Sequence, residues 1–409
     1  MTTRRLAVFF DFRNNGFFPA VGGMVRFAVT CIAYEAQDSL SLSFLNSNVS
    51  DVSSRLITLS ADDILRVNPN TGTLPLLADQ RDADILTAVY RRFPVVRRDG
   101  DQNGNPWDVN PGAMSNMTSD AGQFVDLADL AGTEHDDHVR VSEGDRYLPL
   151  YEGKHFWLYE HRYATSAGAA DPNKPRSLTG AEHSDPRLEI EPRYWVKEAA
   201  VRKWYRDEWD AASWEIAFRL IARASDSRTM ILSVMPRGAS GNGAPVLRLT
   251  APWKAMALIG VWSSIPFDFV VRQKMSGANV NLFILDQLAT PTPQDVAEPI
   301  IFAENMTWAD WLHPRVLELT YTSHSLSGWA HDLGYDGPPF AWDPERRRHL
   351  QAEIDAAMFH LYGHNRRTTE YILDSFATLR RAEERECGEF VTRRLVLAEY
   401  DDMSSRIAR

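Results

Sequence analysis

The densest group of potential metal ligands in the sequence is His135-Asp136-Asp137-His138. Imidazole and carboxylate groups commonly bind zinc and other divalent ions. Four consecutive residues, however, cannot easily direct their side chains at one ion, and the surrounding residues 119–146 contain eight acids against two arginines. We therefore interpret this group as part of an exposed acidic loop and predict no metal site in the chain.

A second group of carboxylates partly matches the pattern of magnesium-dependent nucleases. The acids of Asp185-Pro-Arg-Leu-Glu189-Ile-Glu191 have suitable spacing, but Pro192-Arg193 stands where such nucleases need a lysine. Carboxylates bind the Mg²⁺ ion that activates water for phosphodiester cleavage. A nuclease, or a nuclease-associated subunit, therefore remains an alternative function. No nucleophile-elbow motif supports a serine or cysteine hydrolase.

Cofactor-binding motifs are missing as well. An enzyme that transfers a methyl group from S-adenosylmethionine to a base amino group needs a glycine-rich turn and an Asn/Asp-Pro-Pro-aromatic motif. Asn105-Pro106-Trp107 and Asn68-Pro69-Asn70 have a single proline and no apolar strand before it. The glycine-rich residues 237–243 are not followed by Gly-Lys-Ser/Thr, so they do not form a phosphate-binding loop. We predict that this chain holds no cofactor and no catalytic residue.

The elements predicted for the first hundred residues are strands followed by a helix. Residues 6–10 and 25–34 are β-rich runs separated by glycines and a proline, which predicts a hairpin-like pair of strands. Residues 82–93 place apolar side chains at helical spacing before Pro94, so a helix should end there.

The rest of the chain is predicted to be mixed, with a helical end. We expect helices at residues 214–223 and 252–274, a strand at 229–234 and a loop at 237–243. Asp343-Pro344 offers an N-cap and a proline at the first helical position, and Gly363 ends that helix. Two more helices are predicted at residues 368–386 and 391–407. The predicted fold class is α+β, with antiparallel strands first and a helical bundle last.

The composition is that of a globular chain with a large core. Of 409 residues, 44% are hydrophobic and 11% aromatic, and the length suggests two or three domains. The two cysteines match no ligand spacing, the N-terminus shows no cleavage site, and polar residues interrupt the longest apolar stretch, residues 255–271. We therefore expect a cytoplasmic protein without a disulfide framework and without a membrane span.

The net charge of −11 argues at first against a nucleic-acid partner. The charge is nevertheless sorted along the chain, because residues 193–274 carry thirteen Lys or Arg against seven Asp or Glu. Six of the twelve tryptophans also lie between Trp195 and Trp262. Basic side chains placed among aromatic ones suit a surface that binds nucleic acid.

Several strings spread over nearly the whole chain carry a family resemblance. Their order and spacing resemble the C-terminal half of the large adenine-specific DNA methyltransferases of type IIG restriction-modification enzymes and of the BREX and DISARM phage-defence systems. The strings are Tyr147-Leu-Pro-Leu-Tyr-Glu-Gly-Lys154, His161-Arg162-Tyr163, Pro192-Arg-Tyr-Trp-Val196, Trp214-Glu-Ile-Ala-Phe-Arg219, Asp226-Ser-Arg-Thr229, Phe267-Asp-Phe-Val-Val-Arg-Gln-Lys274, Asn279-Val-Asn-Leu-Phe283, Asp355-Ala-Ala and Glu370-Tyr-Ile-Leu-Asp374.

The resemblance implies that the chain reads DNA for a methyltransferase core. Residues 1–98 would be the end of a methyltransferase-like α/β domain, residues 99–310 the DNA target-recognition domain, and residues 311–409 a C-terminal helical region. In such enzymes the catalytic motifs lie upstream of the segment that this chain resembles. The chain would then be a separate specificity subunit, a split gene product or the C-terminal part of a longer protein. S-adenosylmethionine is implied for the partner core.

The partners implied are double-stranded DNA, the methyltransferase core and other defence-system proteins. A base must be flipped out of the duplex before its amino group is methylated, so the protein has to hold the backbone around it. For each predicted DNA contact, a surface charge or an internal ion pair such as Asp268 with Arg272 is the structural alternative. The predicted contacts are Arg219, Arg223, Arg228, Arg272 and Lys274, followed by Lys154 and Arg162.

A third hypothesis assigns the chain an assembly role only. It would then be a catalytically silent scaffold that assembles a complex through the C-terminal helices of residues 345–409.

Overall fold

The computed structural model describes residues 4–23, 25–130, 132–136, 138–249, 251–275 and 277–407, without the side chains of residues 134–136 and 207. The acidic group at residues 135–138 therefore lies largely outside the described residues. The chain divides into two compact units. The first comprises Met1–Asn105, Phe269–Gly277 and Phe283–Thr290, and the second comprises Pro106–Asp268, Ala278–Leu282 and Pro291–Arg409. The three-domain division at residues 98 and 310 stays a prediction.

The strands of the described residues are β1 (Leu6–Arg13), β2 (Arg26–Ile32), β3 (Ser39–Asn46), β4 (Ile57–Ser60), β5 (Asn110–Gly112), β6 (Phe124–Asp126), β7 (Glu134–Asp136), β8 (Val139–Ser142), β9 (Asp145–Tyr151), β10 (Ala164–Thr165), β11 (Arg176–Ser177), β12 (Tyr194–Lys197), β13 (Trp214–Phe218), β14 (Leu232–Pro236), β15 (Ala239–Ser240) and β16 (Val246–Arg248).

The helices are α1 (Asp51–Ser54), α2 (Ala61–Val67), α3 (Gln80–Arg92), α4 (Gly180–Ser184), α5 (Glu198–Tyr205), α6 (Pro252–Trp262), α7 (Ile265–Arg272), α8 (Leu282–Leu285), α9 (Pro293–Ala297), α10 (Trp308–Thr320), α11 (Ser327–Asp332), α12 (Pro344–Leu361), α13 (Arg366–Asp374), α14 (Ala377–Cys387) and α15 (Val391–Ile407). Together with the strands they confirm the predicted α+β class.

The first unit is built on a four-stranded sheet in the order β2-β1-β3-β4. β1 and β2 are antiparallel, with Leu6 opposite Ile32 and Arg13 opposite Arg26, so the predicted hairpin-like pair is confirmed. The predicted helix before Pro94 is confirmed as α3, whose N-cap Asp79 accepts a hydrogen bond from the backbone N–H of Asp82. That cap satisfies one of the free N–H groups of the first turn.

The second unit contains two larger sheets, in the orders β6-β12-β9-β8-β7 and β14-β13-β16-β5. β13 contradicts the helix predicted at residues 214–223. All five of its residues are buried, and a run that is buried on both faces has no alternation that would distinguish a strand from a helix.

The segment 237–243 is not only the loop that we predicted, because β15 lies within it and pairs in parallel with β9. Gly238 permits this approach: a Cβ atom there would lie 2.5 Å from Cε2 of Tyr151 and 2.9 Å from the carbonyl oxygen of Pro149. Any larger residue would therefore push β15 away from β9.

The prediction of one continuous helix at residues 252–274 is wrong. The segment forms two helices, α6 and α7, which meet at an angle of 69°. The break falls at Ser263 and Ser264. Pro266 has no N–H to donate to the carbonyl oxygen of Trp262, and its ring would clash with that carbonyl group, so α6 cannot continue through it, whereas a proline is tolerated in the first turn of α7. No single described helix is long and apolar enough to cross a membrane, although α6 and α7 together pass that test as a bent pair.

The C-terminal helices match the prediction more closely. α12 begins after Asp343, whose carboxylate accepts hydrogen bonds from the N–H groups of Glu345 and Arg346, and Pro344 occupies the first position. α15 is confirmed over residues 391–407. The helix predicted at residues 368–386 is instead α13 and α14, which are separated at Ser375 and Phe376.

A buried ion pair lies in the core of the second unit. Nε of Arg228 donates to Oδ2 of Asp268 at 2.8 Å, and the two side chains are 8% and 0% exposed. Arg228 also donates to the carbonyl oxygen of Ser263, and the backbone N–H of Thr229 donates to Asp268 at 3.0 Å. The charges are thus compensated inside the protein, as buried ions must be.

Arg228→Ala should lower the free energy of unfolding by about 3–5 kcal/mol, because it leaves the Asp268 carboxylate buried without its counter-ion. Urea denaturation measures this change. Arg223→Ala is the matched control, since Arg223 is exposed and its truncation should cost about 0.5 kcal/mol or less. A loss below about 1 kcal/mol for Arg228→Ala would contradict the assigned role.

Candidate nucleic-acid interface

Arg162, one of the seven predicted DNA contacts, is enclosed by the fold. The residue has no exposed surface, and its two terminal nitrogens donate to four backbone carbonyl groups at 2.7–3.0 Å. The acceptors belong to Asp185, Leu188, His183 and Thr322. The guanidinium therefore ties three loop segments together, and in this conformation a duplex cannot reach it.

Arg228 and Lys274 are also held by internal acceptors. The Asp268 carboxylate, whose pairing with Arg272 was the example of an internal ion pair, binds Arg228. In the first unit, Nζ of Lys274 donates to the carbonyl oxygen of Val67 and to Oδ1 of Asn68. Burial places the pKa of Lys274 well below its usual range. Arg272 is half-buried at the end of α7.

Lys154 and Arg219 belong to one surface of the second unit. The rings of Trp157 and Tyr163 are stacked with centroids 5.5 Å apart, and the guanidinium of Arg219 lies 4.6 Å and 5.4 Å from them. Nε of Arg219 donates to the carbonyl oxygen of Phe156 at 3.0 Å. Burial lowers the pKa of Arg219 to about 10, so the group still carries its charge at neutral pH.

The contacts of Lys154 leave its ammonium group partly in solvent. Nζ lies 2.8 Å from Oε1 of Glu152 and donates to the carbonyl oxygen of Asn173 at 3.2 Å, and the side chain is 32% exposed. Arg223 is exposed, and its backbone N–H donates to Asp226. Of the seven predicted residues, these two and Arg219 are the ones that the second unit presents toward its surface.

Helix α5 provides a second group of cations, which the sequence analysis did not select. Its sequence, Glu-Ala-Ala-Val-Arg-Lys-Trp-Tyr, buries Val201 and Tyr205, which are four residues apart and therefore on one face. These two side chains pack with Leu148 and Val196 of the larger sheet. The opposite face is left for Arg202 and Lys203, which are exposed.

Arg206 ends α5 in an unfavourable backbone conformation. Its φ is +53° and its ψ is −126°, a region that favours glycine and costs other residues of the order of 1–3 kcal/mol. Arg206 is exposed. A large cation thus stands where a glycine would be more stable. Such strain is frequent at functional sites. We name Arg202, Lys203 and Arg206 the α5 surface.

Aromatic rings and arginines alternate behind the α5 surface. The guanidinium of Arg202 lies 4.9 Å from the ring centroid of Trp209, and that of Arg248 lies 5.1 Å from Trp204. Arg237 approaches Tyr205 to 4.0 Å. Each cation is attracted by the electron-rich face of its ring, which fixes its position without neutralising its charge.

The carboxylates around α5 pair with only some of these cations. Glu198 binds Arg146 and Arg202, and Glu208 binds Arg248 at 3.1 Å. Among the side chains that the structure describes, no carboxylate pairs with Lys203 or Arg206. These two cations line an open cleft of about 520 Å³. Its remaining walls are Met114, Ser115, Asp120, Gln123, Ala200 and Trp204.

A signal for the α5 surface was present in the sequence. Residues 202–209 combine three cations and three aromatic rings with two acids, inside the segment 193–274 that has an excess of positive charge. A count of charges along the sequence cannot show that most of these lysines and arginines are bound to other groups of the protein. Arg193 and Lys197, for example, are bound to Asp126 and Asp145.

Among the described residues, neither His161 with Ser323 nor a metal-binding cluster forms an accessible hydrolytic site. Nε2 of His161 lies 2.8 Å from Oγ of Ser323 and 3.8 Å from Oε2 of Glu189, so the same ring nitrogen faces both groups. A serine hydrolase needs the acid on the other nitrogen, and here His161 and Ser323 are 1% and 0% exposed. Within the described part of the chain, no three His, Cys, Asp or Glu side chains converge on a position for a metal ion.

The carboxylates of the nuclease-like string are used by the fold. Glu191 forms an ion pair with Arg140, and the side chain of Glu189 is 6% exposed beside His161. Neither the string nor the α5 surface contains a group placed for covalent chemistry. The arrangement of α5 suits binding of a polyanion.

No protein-family model and no curated protein matches this chain. The family resemblance in the strings therefore stays a prediction.

Glu215 in β13 gives the second unit a stability that depends on pH. Burial raises the pKa of Glu215 to about 8, and nearby Arg237 opposes part of this shift. Burial likewise raises the pKa of Asp355 to about 7. Both carboxyl groups hold a proton in the folded state at pH values where the unfolded chain has lost it.

The free energy of unfolding should therefore fall as the pH rises from about 4.5 to about 8, by up to about 1.4 kcal/mol per pH unit for each group. Glu215→Gln should reduce this slope over the whole range and abolish it above about pH 7, where Asp355 no longer contributes, because glutamine has no proton to lose. Urea denaturation at several pH values measures it. Glu304→Gln, at an exposed glutamate, is the control. Equal slopes for Glu215→Gln and the unmodified protein would refute the assignment.

Proposed function

We propose that this chain recognises double-stranded DNA for an adenine-specific (N6) methyltransferase core that the described residues do not contain. The observation that carries the proposal is the α5 surface, in which Arg202 lies over the ring of Trp209 while Lys203 and Arg206 line an open cleft. The strings that resemble restriction and phage-defence methyltransferases favour the same function.

The cations of the α5 surface suit contacts with phosphate groups. Lys203 and Arg206 are exposed on the rim of the cleft and lie on successive turns of chain at the end of one helix. Lysine and arginine supply most of the charge that attracts proteins to a duplex, and these contacts fix orientation without reading sequence. Lys154, Arg219 and Arg223 supply further positive charge in the same unit.

A side chain that reads bases must have polar atoms available for hydrogen bonds with DNA rather than with the rest of the protein. Gln123 is exposed and lines the cleft together with Lys203 and Arg206. A glutamine amide can donate and accept two hydrogen bonds with the edge of an adenine in the major groove. Gln123 is therefore the residue that we assign to sequence discrimination.

Methyl transfer itself is assigned to a partner. The sequence lacks the glycine-rich turn and the Asn/Asp-Pro-Pro-aromatic motif, so S-adenosylmethionine would be bound by the core and the flipped adenine would be held there. The chain would act in the cytoplasm within a restriction-modification or phage-defence system.

Replacing Lys203 and Arg206 together by alanine should weaken duplex binding about tenfold or more. It should also reduce the slope of log affinity against log salt by about two, one for each lost phosphate contact. Fluorescence anisotropy with a labelled duplex at several salt concentrations measures both. The matched control removes two exposed arginines of α14, Arg381 and Arg385, which should leave the slope unchanged.

The proposed function would be refuted if the protein does not bind the duplex. It would also be refuted if binding depends neither on salt nor on the replacement of Lys203 and Arg206. Cleavage of the duplex with Mg²⁺ that is lost in Glu189→Ala would point instead to the nuclease alternative. Gln123→Ala should lower the preference for the recognised sequence while leaving binding to unrelated duplexes nearly unchanged.

Arg206→Gly should separate stability from binding. Glycine adopts the backbone conformation of residue 206 without strain, so the free energy of unfolding should rise by about 1 kcal/mol. Duplex affinity should fall because a phosphate contact is lost. Urea denaturation and anisotropy on the same preparation test this pair of changes. If affinity is unaffected, Arg206 is not a DNA contact.

A further inference from the structure

Four buried polar side chains surround a small cavity in the second unit. Tyr205, Glu215, Arg237 and Arg248 all line a space of about 30 Å³. The first three are 4–7% exposed, and Arg248 is partly buried. The cavity lies next to the α5 surface, because Tyr205 is the last residue of α5 and Arg248 contacts the ring of Trp204.

Each of these side chains has polar atoms without a hydrogen-bond partner in the described structure. They are the hydroxyl of Tyr205, both carboxyl oxygens of Glu215, Nε and Nη1 of Arg237, and Nε of Arg248. Each buried polar atom without a hydrogen bond lowers the stability of the fold by about 1–3 kcal/mol. Because several such atoms face the same cavity, we expect a small polar molecule to occupy it. A cavity of this volume has room for about two water molecules.

Bound water matches the chemistry of the cavity. The guanidinium groups offer only N–H donors, whereas an ionised Glu215 offers only acceptors. A water molecule can accept from an arginine and donate to the carboxylate, so two waters would connect Glu215 with Arg237. A small anion would satisfy the arginines but would face the Glu215 carboxyl group.

The charged and titratable groups around Glu215 come from several elements. Arg237 follows β14, Arg248 belongs to β16, Glu208 follows α5, and Tyr205 lies in α5. Tyr151 of β9 is also close enough for the charge of Glu215 to raise its pKa. Glu208 is bound to Arg248, which leaves Arg237 as the main cation facing Glu215.

Arg237 connects this cavity to the α5 surface. Its guanidinium lies 4.0 Å from the ring centroid of Tyr205 and 5.3 Å from that of Trp209, and Trp209 in turn contacts Arg202. Arg237 also donates to the carbonyl oxygen of Ala212. A negative charge that appears on Glu215 therefore lies one side chain away from the cations that would meet DNA.

We propose that the cavity holds bound water that couples the protonation of Glu215 to the α5 surface, so that loss of this proton weakens binding of a polyanion. The inference rests on the proposed function. When Glu215 is neutral, the charge of Arg237, which Glu208 and Asp210 offset only in part, adds to the positive potential behind α5. When Glu215 is ionised, it cancels that charge through the water bridge.

The test compares duplex affinity at about pH 6.5 and about pH 9 for the unmodified protein, Glu215→Gln and the control Glu304→Gln. The unmodified protein and the control should bind about three- to tenfold more weakly at the higher pH. Glu215→Gln should bind like the unmodified protein at the lower pH and should lose most of this dependence. A purely structural role would instead change affinity at both pH values.

A readout without DNA separates the two proposals. The side-chain carboxyl carbon of Glu215, assigned by comparing ¹³C spectra of the protein and of Glu215→Gln, should titrate near the upper end of the neutral range in the free protein. If it titrates but no variant binds duplex, the proposed function fails. If duplex binds with the same pH dependence in Glu215→Gln, the coupling proposed here is refuted while the function stands.

Discussion

A buried guanidinium in the second unit needs acceptors from the protein or from bound water, because bulk solvent no longer solvates its charge. Arg162 uses four carbonyl groups, and Arg228 uses Asp268 and a carbonyl group. These bonds join segments that are distant in sequence: Arg162 contacts Thr322, 160 residues away. The loops between the short strands of this unit are therefore fixed by arginines as much as by sheet hydrogen bonds.

The same constraint explains why the predicted DNA contacts were only partly at the surface. A count of charges gives each arginine equal weight, whether the side chain is exposed to solvent or is buried and donates to backbone carbonyl groups. Arg162 and Arg219 both lie in the strings that resemble DNA-methyltransferase sequences, yet only Arg219 is left partly exposed. A string of residues preserved in a family pattern can reflect a structural hub as readily as a contact.

Local sequence rules were sufficient where one cap or one periodic stripe decided the element. Asp343-Pro344 predicted the start of α12, and the stripe before Pro94 predicted α3. They failed where tertiary burial decided it. Trp214 to Phe218 is buried on both faces, including Glu215, so only its hydrogen bonds to β14 and β16 make it a strand. The small cavity beside α5 could not be foreseen, since its four polar side chains come from separate elements.

A surface that binds a polyanion has to keep its cations apart without surrendering their charge. Carboxylate partners would hold them but would also repel phosphate. Aromatic faces avoid this conflict, because they attract a cation through a quadrupole that carries no net charge. The rings of Trp204, Tyr205 and Trp209 stand in this relation to Arg248, Arg237 and Arg202, and Arg248 and Arg202 have a carboxylate partner as well, in Glu208 and Glu198. Packing of these rings against the sheet β6-β12-β9-β8-β7 then makes the position of the charges a property of the core. In the proposed function, α5 would therefore meet a duplex with its cations already ordered.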